Sequence, residues 1–129
     1  MKNLLNVKEE IRLISAIESK LGVAKLNQEE LNFMLDSASK GVPRQVFNYG
    51  LYIYYETYNE EEARVWFNKA LKSMNGYALL RASGKLAKLG DAFIDDSMKF
   101  LRRSAWRQNP IAKRMLKFMK EHPYKLPEA

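Results

Sequence analysis

A chain of 129 residues with 47% hydrophobic and 12% aromatic residues can bury one core, which excludes a wholly disordered polypeptide. The absence of cysteine excludes a disulfide framework, a thiolate metal site and a cysteine nucleophile. The formal charge of +7 is lopsided: residues 1–62 hold 7 Lys/Arg against 10 Asp/Glu, and residues 63–129 hold 15 against 5. Such a division suits an anionic partner, head-to-tail self-association or a solvated basic face.

The first ten residues reach Lys8, Glu9 and Glu10 before an apolar h-region can form, so no secretory signal is expected. No apolar run approaches the roughly 20 residues a membrane span needs. A cytoplasmic protein without a membrane partner is the expectation. Only four prolines and six glycines interrupt a chain rich in Leu, Lys, Glu and Ala, which favours helix throughout.

Seven helices are predicted, over 6–21, 28–39, 43–57, 60–73, 76–88, 92–105 and 109–120. The first, second and fourth open on Asn6-x-x-Glu9, Asn27-x-x-Glu30 and Asn59-x-x-Glu62. In each, the asparagine can accept from a free N–H of the first turn, the glutamate can answer it, and the acids suit the positive end of the helix dipole. Val42-Pro43 opens the third, Gly90-Asp91 reads as a stop followed by a cap, and Asn109-Pro110 opens the last. Apolar residues keep helical spacing in between, as at Val7, Ile11, Ile14, Ile17 and Leu21, or Ala63, Trp66, Phe67, Ala70 and Leu71. The two prolines over 123–129 suggest a flexible tail.

An internal repeat decides the architecture. Residues 62–71 match residues 96–105 at a shift of 34 and residues 29–38 at a shift of 33, in the order small, large, large, basic, small. Gly41-Val42-Pro43, Met74-Asn75-Gly76 and Gln108-Asn109-Pro110 open the alternate helices in the same register. A period near 34 with two helices per unit predicts an all-α fold: a right-handed α-α superhelix, or solenoid, of antiparallel helix pairs. One domain over 1–122 is expected, with units near 6–39, 43–73 and 76–105 and a final helix over 109–120. Small residues at Ala63, Ala70, Ala78, Ala82, Ser83 and Ala112 would let backbones approach, while Trp66, Phe67, Phe100 and Leu101 fill the gaps.

The run Ala63-x-x-Trp66-Phe67-x-Lys69-Ala70, with Asn75-x-x-Ala78 and Ser83, resembles the Sel-one-like repeat, a tetratricopeptide relative. The likeness extends over about residues 28–120, with Met74 where glycine is usual and Leu71 in place of a second alanine. It implies a protein-interaction scaffold whose first helix in each unit lines a groove.

Chemistry is sparse. His122, the one histidine, sits beside Pro123 without an evident orienting partner. The acid clusters Glu9-Glu10, Glu29-Glu30 and Glu60-Glu61-Glu62 lie in first helical turns, where capping accounts for them. Asp91, Asp95 and Asp96 have no histidine or glycine-rich loop nearby. No phosphate loop, zinc spacing or nucleophile elbow is present. No catalytic residue, metal or cofactor is expected.

Two features point to binding. The helix over 43–57 carries Phe47, Tyr49, Tyr52, Tyr54 and Tyr55, followed by Tyr58, more than one buried stripe absorbs, leaving a Tyr52/Tyr55 or Tyr54/Tyr58 edge. Arg81, Lys85 and Lys88 form a basic face on the fifth helix and Lys113, Lys117 and Lys120 on the seventh, with Lys99, Arg102, Arg103 and Arg107 between. If the resemblance holds, Asn48, Tyr52 and Tyr55 align with Arg81, Lys85 and Lys88 in an aromatic-to-basic groove for an acidic protein or peptide. The alternative is a nucleic-acid-binding or host/phage regulatory protein that uses the basic half on phosphates. A third reading is a homo-oligomer joined through the acidic and basic halves.

Overall fold

The computed structural model describes residues 4–123, with side chains from residue 6 onward. Every regular element among them is helical: α1 (Leu4–Lys20), α2 (Gln28–Ser39), α3 (Pro43–Thr57), α4 (Glu60–Ser73), α5 (Gly76–Lys88), α6 (Ile94–Trp106) and α7 (Pro110–Glu121). A 3-10 turn over Asp91–Phe93 precedes α6. Residues 124–129 of the expected tail lie outside the described residues.

Asparagine sets most of the starts. Asn27 accepts from the Glu30 N–H at 2.8 Å while the Glu30 carboxylate accepts from the Asn27 N–H at 2.8 Å, a complete capping box. Asn59, Asn75 and Asn109 accept from Glu62, Ala78 and Ala112. Two expected starts are displaced. Asn6 lies inside α1, which begins at Leu4, and Glu9 binds Arg12 instead of closing a cap. Gly90, at φ 111°, leads into the 3-10 turn, and α6 begins after the fully buried Phe93 with no side-chain cap.

The chain divides between Ser73 and Met74 into two compact units, at the boundary between the second and third expected helix pairs. In the first unit the core comprises Leu13, Ile17, Met34, Ala38, Val46, Phe47, Leu51, Ile53, Ala63, Phe67 and Ala70. The Phe47 and Phe67 rings meet at 5.0 Å. Gly50 is what lets α3 and α4 close: a Cβ there would lie 2.7 Å from the Phe67 ring and 3.2 Å from the Ala63 carbonyl oxygen. Polar ties join the remaining helices. Lys20 of α1 reaches Glu30 of α2 at 2.8 Å, and Arg44 of α3 grips Glu18 of α1 at 2.5 and 2.6 Å.

In the second unit Leu79, Ala82, Leu86, Phe93, Phe100, Leu101 and Ala112 are buried. Serines do there what glycine and alanine do in the first. Ser97 donates to the Ser83 carbonyl at 2.7 Å, and Ser104 donates to the Gly76 carbonyl at 2.6 Å, so α5 and α6 approach with their hydroxyls satisfied.

The repeat register is visible in burial. Leu13, Val46, Leu79 and Ala112 recur every 33 residues along α1, α3, α5 and α7, and all four are buried. Met34, Phe67 and Phe100 do the same on α2, α4 and α6. Helix α1, expected to open the first unit but absent from the aligned segments, is in phase with the others.

Glu30 gives this fold a pH dependence. The Lys20 ammonium, then the Asn27 N–H, hold its carboxyl below the ordinary value of 4.5. A depressed carboxylate pKa contributes stability above the unfolded value and loses it as pH falls through the folded one. Glu30→Gln, which keeps the cap acceptor and removes the charge, is therefore expected to be less stable than the parent at pH 7 and to close that gap below about pH 4.5. Urea unfolding at pH 3, 5 and 7 measures it; a gap independent of pH would refute the ionic role.

Candidate functional site

The six residues expected to line one groove divide between the two units, and one of them is not on the surface. Asn48 is fully buried. Its amide donates to Glu18 at 3.1 Å and to the Gln45 side-chain oxygen at 2.8 Å, which makes it part of the α1–α3 tie and removes it from any partner-binding surface. The sequence pattern could not show this, because Glu18, the anion that draws Asn48 inward, lies 30 residues upstream.

The aromatic surplus of α3 is spent partly on its neighbours. Tyr49 stacks with Tyr52 at 6.3 Å and meets the edge of Trp66 at 4.6 Å, while the Lys69 ammonium covers the Trp66 ring at 4.2 Å. The Tyr55 ring lies against Gly22, where φ is +80° and a Cβ would fall 2.6 Å from the ring. Tyr52 is half-buried and Tyr55 sits at 36% exposure. Burial raises both hydroxyls above the ordinary tyrosine value, helped by Glu56 and Tyr49 at Tyr52 and by Tyr54 at Tyr55. Tyr58, in the left-handed region at φ 55°, is 74% exposed.

In the second unit, cations and open aromatic rings occur together. Arg81 lies over Tyr77 at 5.9 Å; Lys88 is exposed and Lys85 half-buried. Trp106 is 66% exposed with Arg103 at 4.4 Å and Arg107 at 5.9 Å from its ring. Lys99, Arg102, Lys113, Lys117 and Lys120 are exposed, Lys113 with a hydrogen bond to Gln108.

Sequence reasoning treated α7 as a basic stripe and missed its apolar face. Ile111, Met115, Phe118 and Met119 stand between 41% and 61% exposed at helical spacing i, i+4, i+7 and i+8. Beside them opens a groove of about 620 Å³ lined by Met98, Arg114, Met115, Phe118, Met119 and His122. The His122 ring stacks on Phe118 at 4.3 Å. The signal was available: this i, i+4, i+7, i+8 set is a complete apolar stripe with only Ala112 and Leu116 left to face the core.

Among the described residues no three His, Asp or Glu side chains converge as metal ligands, and no helix is long and apolar enough to cross a membrane. Set against family models, curated proteins and solved structures, the chain matches none of them.

Proposed function

We propose that the chain is a cytoplasmic protein-binding adaptor whose second unit holds an acidic polypeptide. The observation that carries this reading is the open apolar face of α7 on a helix with Lys113, Arg114, Lys117 and Lys120 against the single acid Glu121. A contiguous exposed apolar patch marks an interaction surface, since burying it against a partner removes it from water. Cations beside it select an acidic partner and speed its encounter. Arg81, Lys85 and Lys88 extend the same field along α5. The Sel-one-like pattern over residues 63–70 agrees with an interaction scaffold.

Charge reversal tests the reading. With a fluorescein-labelled Glu-rich peptide as probe, changing Lys113, Lys117 and Lys120 together to Glu is expected to weaken binding at least about tenfold. The triple change at Arg81, Lys85 and Lys88 acts through the longer-range field and weakens it less. Unchanged affinity in both variants, with helical circular dichroism intact, contradicts the reading.

A second reading is favoured by Trp106 between Arg103 and Arg107, with the Tyr77/Arg81 pair, because bases stack on open rings while guanidinium groups meet phosphates. It predicts that a single-stranded oligonucleotide binds with a steep loss of affinity as salt rises, and that Trp106→Ala weakens it.

A further inference from the structure

We infer that the groove between α6 and α7 receives an amphipathic α-helix with an acidic outer face. The inference rests on the protein-binding reading above and adds the shape and seat of the partner.

The groove's lining is the first ground. Three of its six residues, Met98, Met115 and Met119, are methionines, whose unbranched, polarizable side chains repack around whatever apolar side chain enters. Phe118 supplies a broad anchor, 61% exposed. Five of the groove's six lining residues lie on α7 or at its C-cap, and the twelve residues of α7 span about 18 Å, so an occupant of comparable length has three turns' worth of backbone hydrogen bonds to satisfy. A helix does so internally and presents apolar residues at i, i+3 or i+4 and i+7 to meet the methionines. An added strand would need an open sheet edge, and the described residues contain no strand.

Charge is the second ground and decides against a second copy that meets this face with its own. Arg114 lies in the lining itself, and α7 carries four cations against Glu121. Two copies meeting through this face would set these cations against each other, whereas a helix bearing Glu or Asp beside its apolar stripe would pair with Arg114. The acids of α6 and α7 are Asp95, Asp96 and Glu121, and they are outnumbered on these helices by Lys99, Arg102, Arg103 and the four cations of α7.

The experiment compares three labelled peptides of about 14 residues, roughly four turns, against the whole chain by fluorescence anisotropy. One has Leu at i, i+4 and i+7 with Glu elsewhere, one is its scrambled, non-amphipathic isomer, and one replaces each Glu by Gln. The amphipathic acidic peptide is expected to bind about tenfold or more tightly than either other and to gain helical circular dichroism on binding. Met115→Asp/Phe118→Asp, at positions already open to water, is expected to abolish the advantage while leaving the fold intact; the milder Met115→Ser/Phe118→Ser reports the same loss without added charge. Equal binding of both acidic isomers overturns the groove inference and leaves the acidic-partner reading standing. No binding of any acidic peptide overturns both. Equal binding of the Gln peptide overturns the acidic partner and keeps the helix. Concentration-dependent dimerization by light scattering that Phe118→Asp removes would make a second copy the occupant and overturn the inference.

Discussion

Phe67→Ala is expected to cost about 3–5 kcal/mol of stability, the range for deleting a fully buried aromatic side chain. Phe67 has no exposed surface, its ring meets Phe47 at 5.0 Å, and it lies across Gly50 at the α3–α4 contact. Loss of the ring therefore opens a cavity at the centre of the first unit, between helices with little slack to close it. Against a whole-domain stability of about 5–15 kcal/mol, this is about a fifth or more of the total. Urea unfolding followed by circular dichroism measures it, and a change under about 1 kcal/mol would mean that α3 and α4 are not packed through Phe67.

The second prediction is one of sign. Gly50 and Gly84 both lie inside helices, where replacing glycine by alanine ordinarily gains about 0.5–1 kcal/mol. At Gly84 nothing lies within 4 Å of the position a Cβ would take, so Gly84→Ala should stabilise by that amount. At Gly50 the added atom meets the Phe67 ring at 2.7 Å and the Ala63 carbonyl at 3.2 Å, and the backbone contact cannot be relieved by a rotamer change. Gly50→Ala is expected to lose stability despite its helix propensity, and Gly50→Val to lose about 1–3 kcal/mol or more through overpacking. Pairing Gly50→Ala with Phe67→Leu should recover part of the loss, because the two sites share one contact. Stabilisation by Gly50→Ala alone would contradict the close approach of the two helices.

The helices were legible because their ends are written in short-range chemistry. Asn27, Asn75 and Asn109 each accept from an N–H three residues on, so the signal and its partner lie within one turn of sequence. Asn6 misled because α1 begins upstream of it, at Leu4, and Glu9, its expected partner, is engaged by Arg12, which also reaches Glu29 on α2, a contact no local pattern contains. The repeat was legible because packing imposes the same small and large residues every 33 or 34 positions, as at Val46 and Leu79 or Phe67 and Leu101. Asn48 was misplaced because its burial depends on Glu18 and Gln45. The face of α7 was read for its lysines alone, although its apolar stripe was equally present; what the sequence lacked was the burial of Ala112 and not of Phe118, which fixes the side that α6 covers.

Hydrogen exchange of the whole chain, with and without the amphipathic acidic peptide, tests most directly whether the second unit is the binding surface. Slowed exchange across residues 94–121, with amides of α2 and α4 unchanged, is the predicted result. Protection confined to residues 4–73, or none anywhere at saturating peptide, would contradict it.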